Sequence, residues 1–245
     1  MSKEAEEIPV QEAEAADTEV GVEADVEPNV ESDEKPGLAV ERHALDPLLT
    51  ANNSSSAAPS LKHALSRKWT LWFDSQQKRA NQTNWHDSLK NLITFDTVED
   101  FWGVYNNVIK SSALSAGSNF HLFQAGIQPM WEDPQNEKGG KWVAQVAKSR
   151  SADLDNLWLN TMLSVIGETF EDADEVLGAV VSVRRHGNRL GLWTKSFNDE
   201  PKCVRIGTEW KKALEFGSDE PIGFQAHSDA ITHNSSFSNQ DRYTA

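Results

Sequence analysis

Gly178-Ala179-Val180-Val181-Ser182-Val183-Arg184-Arg185-His186-Gly187-Asn188-Arg189-Leu190-Gly191-Leu192-Trp193-Thr194 decides the fold of this chain. Residues 178–185 and 189–194 are β-rich runs, and His186-Gly187-Asn188 between them reads as a hairpin turn, so the two strands run antiparallel. Outward from this hairpin, residues 120–127 and 141–147 also read as strands, with Gly139-Gly140 between them as a turn signal. Lys68-Trp69-Thr70-Leu71-Trp72-Phe73 alternates side-chain types and is rich in aromatics, which predicts another strand. A short strand near 222–225 precedes a polar C-terminal loop. Residues 76–87 are polar and read as a loop with Trp85 at its far end. Three helices are predicted among these strands. Thr97-Val98-Glu99-Asp100 is a capping-box pattern that opens a helix to about residue 109. Residues 153–168 form a second, closed near Gly167, and 205–216 a third with Ile206, Trp210 and Leu214 on one face. Mixed elements with short connections point to the α+β class: a mostly antiparallel sheet with helices packed on one face.

All nine Trp, ten Phe and two Tyr fall at or after Trp69. Residues 1–50 carry fifteen Asp and Glu against Lys3, Lys35 and Arg42, so −12 of the −15 formal charge lies there. Such a segment cannot bury enough apolar surface to offset its chain entropy, so residues 1–62 are expected to be a disordered acidic tail and 63–245 the folded domain. The roughly 175 residues that remain suffice for one sizeable core. They are nearly charge-balanced, which excludes a long phosphate-tracking groove but leaves room for a small, local nucleotide site. One cysteine, Cys203, excludes an intramolecular disulfide and a Cys-based metal site. Met1-Ser2-Lys3-Glu4 lacks the basic and apolar regions of a secretory signal, and no run of about 18 apolar residues exists. The expected compartment is the cytoplasm, with the nucleus also compatible, and no membrane partner is expected.

Two of the helices carry more apolar surface than one core face requires. At about 100° per residue, Trp158, Met162 and Val165 point one way while Leu159, Leu163 and Ile166 centre about 100° away. Similarly, Phe101, Val104, Tyr105 and Val108 form one stripe, with Trp102 and Ile109 to its side. Either these helices are sunk deeply, or a second apolar patch stands exposed to receive a partner's helix.

The chemistry centres on Pro129-Met130-Trp131-Glu132-Asp133-Pro134 and on Trp85, which is flanked by Asn84 and His86-Asp87. Core tryptophans seldom keep such polar company. Two indole faces around one ring favour a cationic ring, since cation–π attraction adds to stacking. Guanine methylated at N7 is such a ring, and its N1–H and N2–H donors fit one carboxylate bidentately. Arg184 and Arg189 flank the hairpin turn and can converge on a phosphate with Lys141; the alternative is an ordinary solvated hairpin. No Gly-rich phosphate loop, His-x-x-Glu-His-type metal motif or nucleophile elbow is present, and Glu132 and Asp133 on an extended chain would face opposite ways. A non-enzyme with no cofactor and no metal is expected.

From about His63 onward the sequence resembles the eukaryotic initiation factor 4E family, which binds the mRNA 5′ cap. The resemblance is carried by Trp69-Thr70-Leu71-Trp72-Phe73, by Phe95-Asp96-Thr97-Val98-Glu99-Asp100-Phe101-Trp102, by Pro129-Met130-Trp131-Glu132-Asp133, by Lys138-Gly139-Gly140-Lys141-Trp142, by Ile166-Gly167-Glu168 and by Leu192-Trp193-Thr194-Lys195. It implies a curved sheet of about eight strands, backed on its convex face by three long helices, with the ligand on the concave side. It implies that Trp85 and Trp131 sandwich 7-methylguanine, that Glu132 reads its N1 and N2 edge, that Trp193 lies against the methyl group, and that Arg184, Arg189 and Lys141 contact the phosphates. It further implies that His63, Leu65, Val98, Trp102, Leu159, Leu163 and Ile166 dock a Tyr-x4-Leu-apolar helix from a scaffold subunit or an inhibitor. The protein would thereby recruit capped mRNA for translation initiation.

The chain also departs from the family. Ala64 stands where proline is usual, Asn160 where Glu is frequent, and Lys141 where Arg is common. Asn119 replaces a common Asp that orients the Arg matched by Arg184, and the family's regulatory serine aligns with either Ser236 or Phe237. Because Ala64 and Asn160 touch the partner side, a cap-binding repressor that recruits poorly is the second expectation, and a plain interaction module without a nucleotide site the third.

Overall fold

The computed structural model describes residues 61–75, 88–229 and 240–245. Residues 1–60 of the expected acidic tail, the expected loop bearing Trp85, and Ser236 with Phe237 lie outside the described residues, while Lys62, at the end of the expected tail, pairs with Asp100 of the first helix at 2.6 Å. Eight strands form one sheet: β1 (Ala64–Ser75), β2 (Lys90–Thr97), β3 (Ser118–Gln124), β4 (Gly140–Val146), β5 (Val176–Ser182), β6 (Asn188–Thr194), β7 (Gly223–Ala226) and β8 (Tyr243–Thr244). Their spatial order is β2-β1-β3-β5-β6-β4-β7-β8, and every neighbouring pair is antiparallel. The curved sheet is backed on its convex face by α1 (Val98–Asn107), α2 (Leu154–Ile166) and α3 (Glu200–Ala213). The α+β reading of the sequence holds.

The β5–β6 hairpin closes as its sequence demands: Asn188 turns its Oδ1 back to accept from the Arg184 backbone N–H at 3.1 Å. Side chains alternate faces along each strand. Leu122 and Phe120 of β3, Ala179 and Val181 of β5, Leu190 and Leu192 of β6, and Trp142 and Ala144 of β4 point to the helices. There they form the main core with Phe101, Trp158, Met162, Ile206 and Trp210. The opposite, concave face carries Asn119, His121 and Phe123 of β3, Ser182 of β5, Arg189 and Trp193 of β6, and Lys141 and Gln145 of β4, as the cross-strand register requires. Gly178 belongs to this face because a Cβ there would stand 2.5 Å from the Phe123 ring.

Thr97 is the N-cap of α1, as its sequence pattern indicates. Thr97 Oγ1 accepts from the Asp100 backbone N–H at 3.2 Å and donates to Asp100 Oδ2 at 2.7 Å, opening α1. Other boundaries moved. Gly139-Gly140 is not a turn between paired strands, since β3 and β4 are separated in the sheet by β5 and β6. Instead the two glycines let the chain enter between β6 and β7: a Cβ on Gly139 would collide with the Thr194 carbonyl, and one on Gly140 would lie 2.5 Å from the Phe224 ring. α3 starts five residues before its predicted start, because Asp199 accepts from the Lys202 N–H at 3.2 Å and Pro201 sits in the first turn. β2 and β8 extend the sheet beyond the strands read from the sequence.

Candidate functional site

The loop between β3 and β4 is built to present two residues. Asp133 accepts from the backbone N–H of Gln128 and of Gln135, each at 2.9 Å. Asn136, 0% exposed, donates its Nδ2 to the carbonyls of Gln128 and Met130 at 2.8 and 2.7 Å. Met130 is buried beneath the loop. With Asp133 turned inward, Trp131 is left half-buried and Glu132 exposed. The acid pair is therefore divided: one carboxylate folds the loop and the other faces solvent.

Both ends of this loop are tied to Trp193. At its start, Ile127 packs in a small apolar cluster with Phe123, Leu177 and Trp193. At its end, the Gly139 carbonyl accepts from the His227 backbone N–H at 3.0 Å, and the His227 ring lies 4.1 Å from the Trp193 ring, centroid to centroid. Phe123 also meets Trp193, edge-on, at 5.3 Å and 76°. Burial, reinforced by the positive charge of Lys141, pushes the His227 pKa down to about 3, so this imidazole is neutral at physiological pH.

Cations line the same face. Lys141 lies directly across from Trp193 in the register, and Arg189 is four residues before Trp193 in β6, on the same concave side. Burial and then repulsion from Arg189 lower the Lys141 pKa to about 8. Arg189 Nε donates to Gln145 Oε1 at 3.2 Å. At the hairpin, Arg184 Nη1 donates to the Val183 and Ser118 carbonyls at 2.8 and 3.3 Å, and its Nη2 donates to Asn119 Oδ1 at 2.9 Å. Behind Asn119 stands a buried carboxylate, Asp74, which accepts from Asn119 Nδ2 at 2.7 Å and lies 3.0 Å from His121 Nε2. Trp193, Lys141 and Arg189 thus share the concave face, Arg184 is held at its hairpin edge by Asn119, and the loop that carries Trp131 and Glu132 is tied at its ends to Trp193, whereas Trp85 lies outside the described residues.

These features match a known family. A family model for eukaryotic initiation factor 4E matches residues 64–242. The chain belongs to the eukaryotic initiation factor 4E family. It is 46% identical over 174 residues to the translation initiation factor isoform 4E of Arachis hypogaea, covering 71% of this chain and 84% of that one. Its fold superposes on Ascaris suum eIF4E-3 in complex with the m7G cap, with a TM-score of 0.68, 38% identity, and coverage of 75% of this chain and 98% of that one. It superposes equally on C. elegans eIF4E-3 in complex with the 4E-binding protein Mextli and a cap analog: TM-score 0.68, 34% identity, 75% of this chain and 99% of that one.

In this family member the convex side holds a second surface. Trp102 is 37% exposed and Leu163 36%, with Val98 also exposed and Leu65 and Leu159 half-buried beside them. Trp102 stands edge-on to Phe101 at 5.1 Å and to Tyr105 at 5.7 Å. The exposed His63 is latched to α1. Its Nδ1 lies 2.6 Å from Glu99 Oε1, and its backbone N–H donates to Glu99 Oε2 at 2.9 Å. Ile166 departs from the rest of this set: at 6% exposure it is part of the core beneath the patch. Of the two readings left open by the helical wheels, the exposed patch is the one observed for Trp102 and Leu163.

Sequence reasoning missed Asp74, Asn136 and His227. Asn136 had a readable signal, an Asn in the polar run Pro134-Gln135-Asn136-Glu137 that suits a turn. The other two did not, because their contacts come from distant strands. Among the described residues, no group of three His, Cys, Asp or Glu could hold a metal ion, and no helix is long and apolar enough to cross a membrane.

Proposed function

We propose that this chain binds the 7-methylguanosine cap of mRNA on its concave face and recruits it for translation initiation through a scaffold protein docked on its helices. One observation carries the reading: the loop presenting Trp131 and Glu132 is fastened at both ends to Trp193, on the face that also bears Lys141 and Arg189. A stacking indole and an exposed acid can read a cationic purine, and the cations beside them suit its triphosphate. The cap-bound relatives support this assignment. The role of Glu132 as reader of the N1 and N2 edge, and of Trp85 as the second stacking face, belongs to the same proposal. We further propose that the chain acts by binding alone, without catalysis, and works in the cytoplasm.

The test is retention on a 7-methyl-GTP resin. Competition by 7-methyl-GTP and not by GTP is expected, with retention lost in Glu132→Ala. Equal competition by both nucleotides would contradict the reading.

A second reading, a cap-binding repressor with weak scaffold binding, is favoured by one contact. Asn160 turns its Nδ2 toward the Ala213 carbonyl at the end of α3, at 3.4 Å, instead of offering a carboxylate to a partner's basic residue. Tight capture of a Tyr-x4-Leu-apolar peptide would remove this reading. Absence of capture beside intact cap retention would favour it.

A further inference from the structure

Asp74 is fully buried on the concave side of β1, directly across from Asn119 of β3. A carboxylate at that depth is costly unless donors surround it. Two are in place: Asn119 Nδ2 at 2.7 Å and the His121 Nε2 edge at 3.0 Å. The first contact fixes more than Asp74. An ionised carboxylate only accepts, so the amide N–H of Asn119 must face Asp74 and its Oδ1 must face the other way. That oxygen accepts from Arg184 Nη2 at 2.9 Å. Together with the Ser118 and Val183 carbonyls, it holds the inner edge of the guanidinium. Were the amide flipped, Arg184 would meet an N–H and lose this acceptor.

We propose that Asp74 is a positioning residue for Arg184, acting through the amide of Asn119, and that it thereby selects for the phosphate portion of the ligand. The proposal rests on the reading of Arg184 as a phosphate contact. The carboxylate is one link removed from the arginine. A second carboxylate at 119 would sit at hydrogen-bond distance from Asp74 and be repelled by it, so an amide is the group that joins the two. The chain Asp74–Asn119–Arg184 carries negative charge into the sheet and leaves the guanidinium, with its planar fork, aligned beside the hairpin turn.

The experiment titrates the full chain with 7-methyl-GTP and, separately, with the phosphate-free nucleoside 7-methylguanosine, following tryptophan emission. Asp74→Asn is expected to weaken 7-methyl-GTP about tenfold, the loss of one charge-assisted contact, and to leave the nucleoside within about twofold. The exchanged pair Asp74→Asn with Asn119→Asp gives Arg184 a carboxylate as its direct acceptor and puts the amide donor at position 74, so it is expected to restore 7-methyl-GTP binding to within about threefold of the original. A merely structural role would weaken both ligands alike. That outcome, unchanged binding in Asp74→Asn, or failure of the exchanged pair to restore, each overturns the proposal. Should Asp74→Asn not fold, the exchanged pair decides: preference for the triphosphate like that of the unaltered chain supports the proposal, and preference no greater than that of Arg184→Ala overturns it. Arg184→Ala separates the two levels. If it spares 7-methyl-GTP binding, the phosphate assignment itself is wrong; if it weakens that binding while Asp74→Asn does not, only the role of Asp74 is wrong.

Discussion

Trp193 and His227 lie ring against ring, with centroids 4.1 Å apart and planes inclined by 42°. This contact joins the sheet floor to the loop that presents Trp131 and Glu132, because the same histidine's backbone N–H is bonded to Gly139 at the loop's end. It also sets a neutral imidazole, not a charged one, against the Trp193 ring.

Stability should depend on this histidine. Its folded pKa of about 3 lies below the ordinary 6.5, so the unfolded chain binds the extra proton between those values. The stabilisation is complete above pH 6.5 and is lost as pH falls toward 3. In denaturant melts, His227→Phe should flatten the pH dependence between about 6 and 4 by up to one proton, about 1.4 kcal/mol per pH unit. An unchanged slope would contradict the burial of a neutral ring.

Lys141 should couple ligand binding to proton uptake. With its pKa lowered to about 8 by burial and then by Arg189, part of the ammonium is lost at mildly alkaline pH. A triphosphate beside it favours the charged form, so affinity for 7-methyl-GTP should fall by up to about tenfold from pH 7 to 9. The part of that slope due to Lys141 should vanish in Lys141→Arg, whose guanidinium stays charged. Calorimetry in two buffers of different ionisation enthalpy at pH 8 reads the proton directly.

Asn136→Ala should loosen the presenting loop. It strips the Gln128 and Met130 carbonyls of their donor at a fully buried site, at a cost of about 1–3 kcal/mol. The expected result is a lower Tm together with weaker 7-methyl-GTP binding, though residue 136 itself is buried away from the ligand.

The two faces should be separable. Trp102→Ala on the helical side is expected to cost about 1 kcal/mol of stability and to leave cap-resin retention intact. Binding of a Tyr-x4-Leu-apolar peptide should drop about thirtyfold, as for an anchor worth roughly 2 kcal/mol. Fluorescence anisotropy of the labelled peptide measures it.

The legible parts of the fold were those with local causes. The β5–β6 hairpin announces itself through two apolar runs around His186-Gly187-Asn188, and α1 through its Thr97–Asp100 cap. β2 was silent because it is an edge strand. Residues 91–94 are exposed and only Phe95 is buried, so no alternating pattern is imposed on it. α3 begins at a signal, Asp199 before Pro201, that the later run of apolar residues outweighed. At the site, Trp131, Glu132 and the hairpin arginines stood out by their neighbours in sequence. Asp74 and His227 did not: Asp74 meets Asn119 across 45 residues, and His227 meets Trp193 from a polar C-terminal segment without periodicity. Contacts of that kind are made by the sheet's register, and no local pattern encodes them.

The most direct measurement is a tryptophan-emission titration with 7-methyl-GTP and GTP side by side, on the unaltered chain and on Glu132→Gln. The account predicts quenching that saturates with 7-methyl-GTP at concentrations where GTP has little effect, and a loss of about 10- to 100-fold in affinity when Glu132 loses its charge. Emission that stays unchanged at millimolar 7-methyl-GTP, or a Glu132→Gln chain that binds as well as the original, would contradict it.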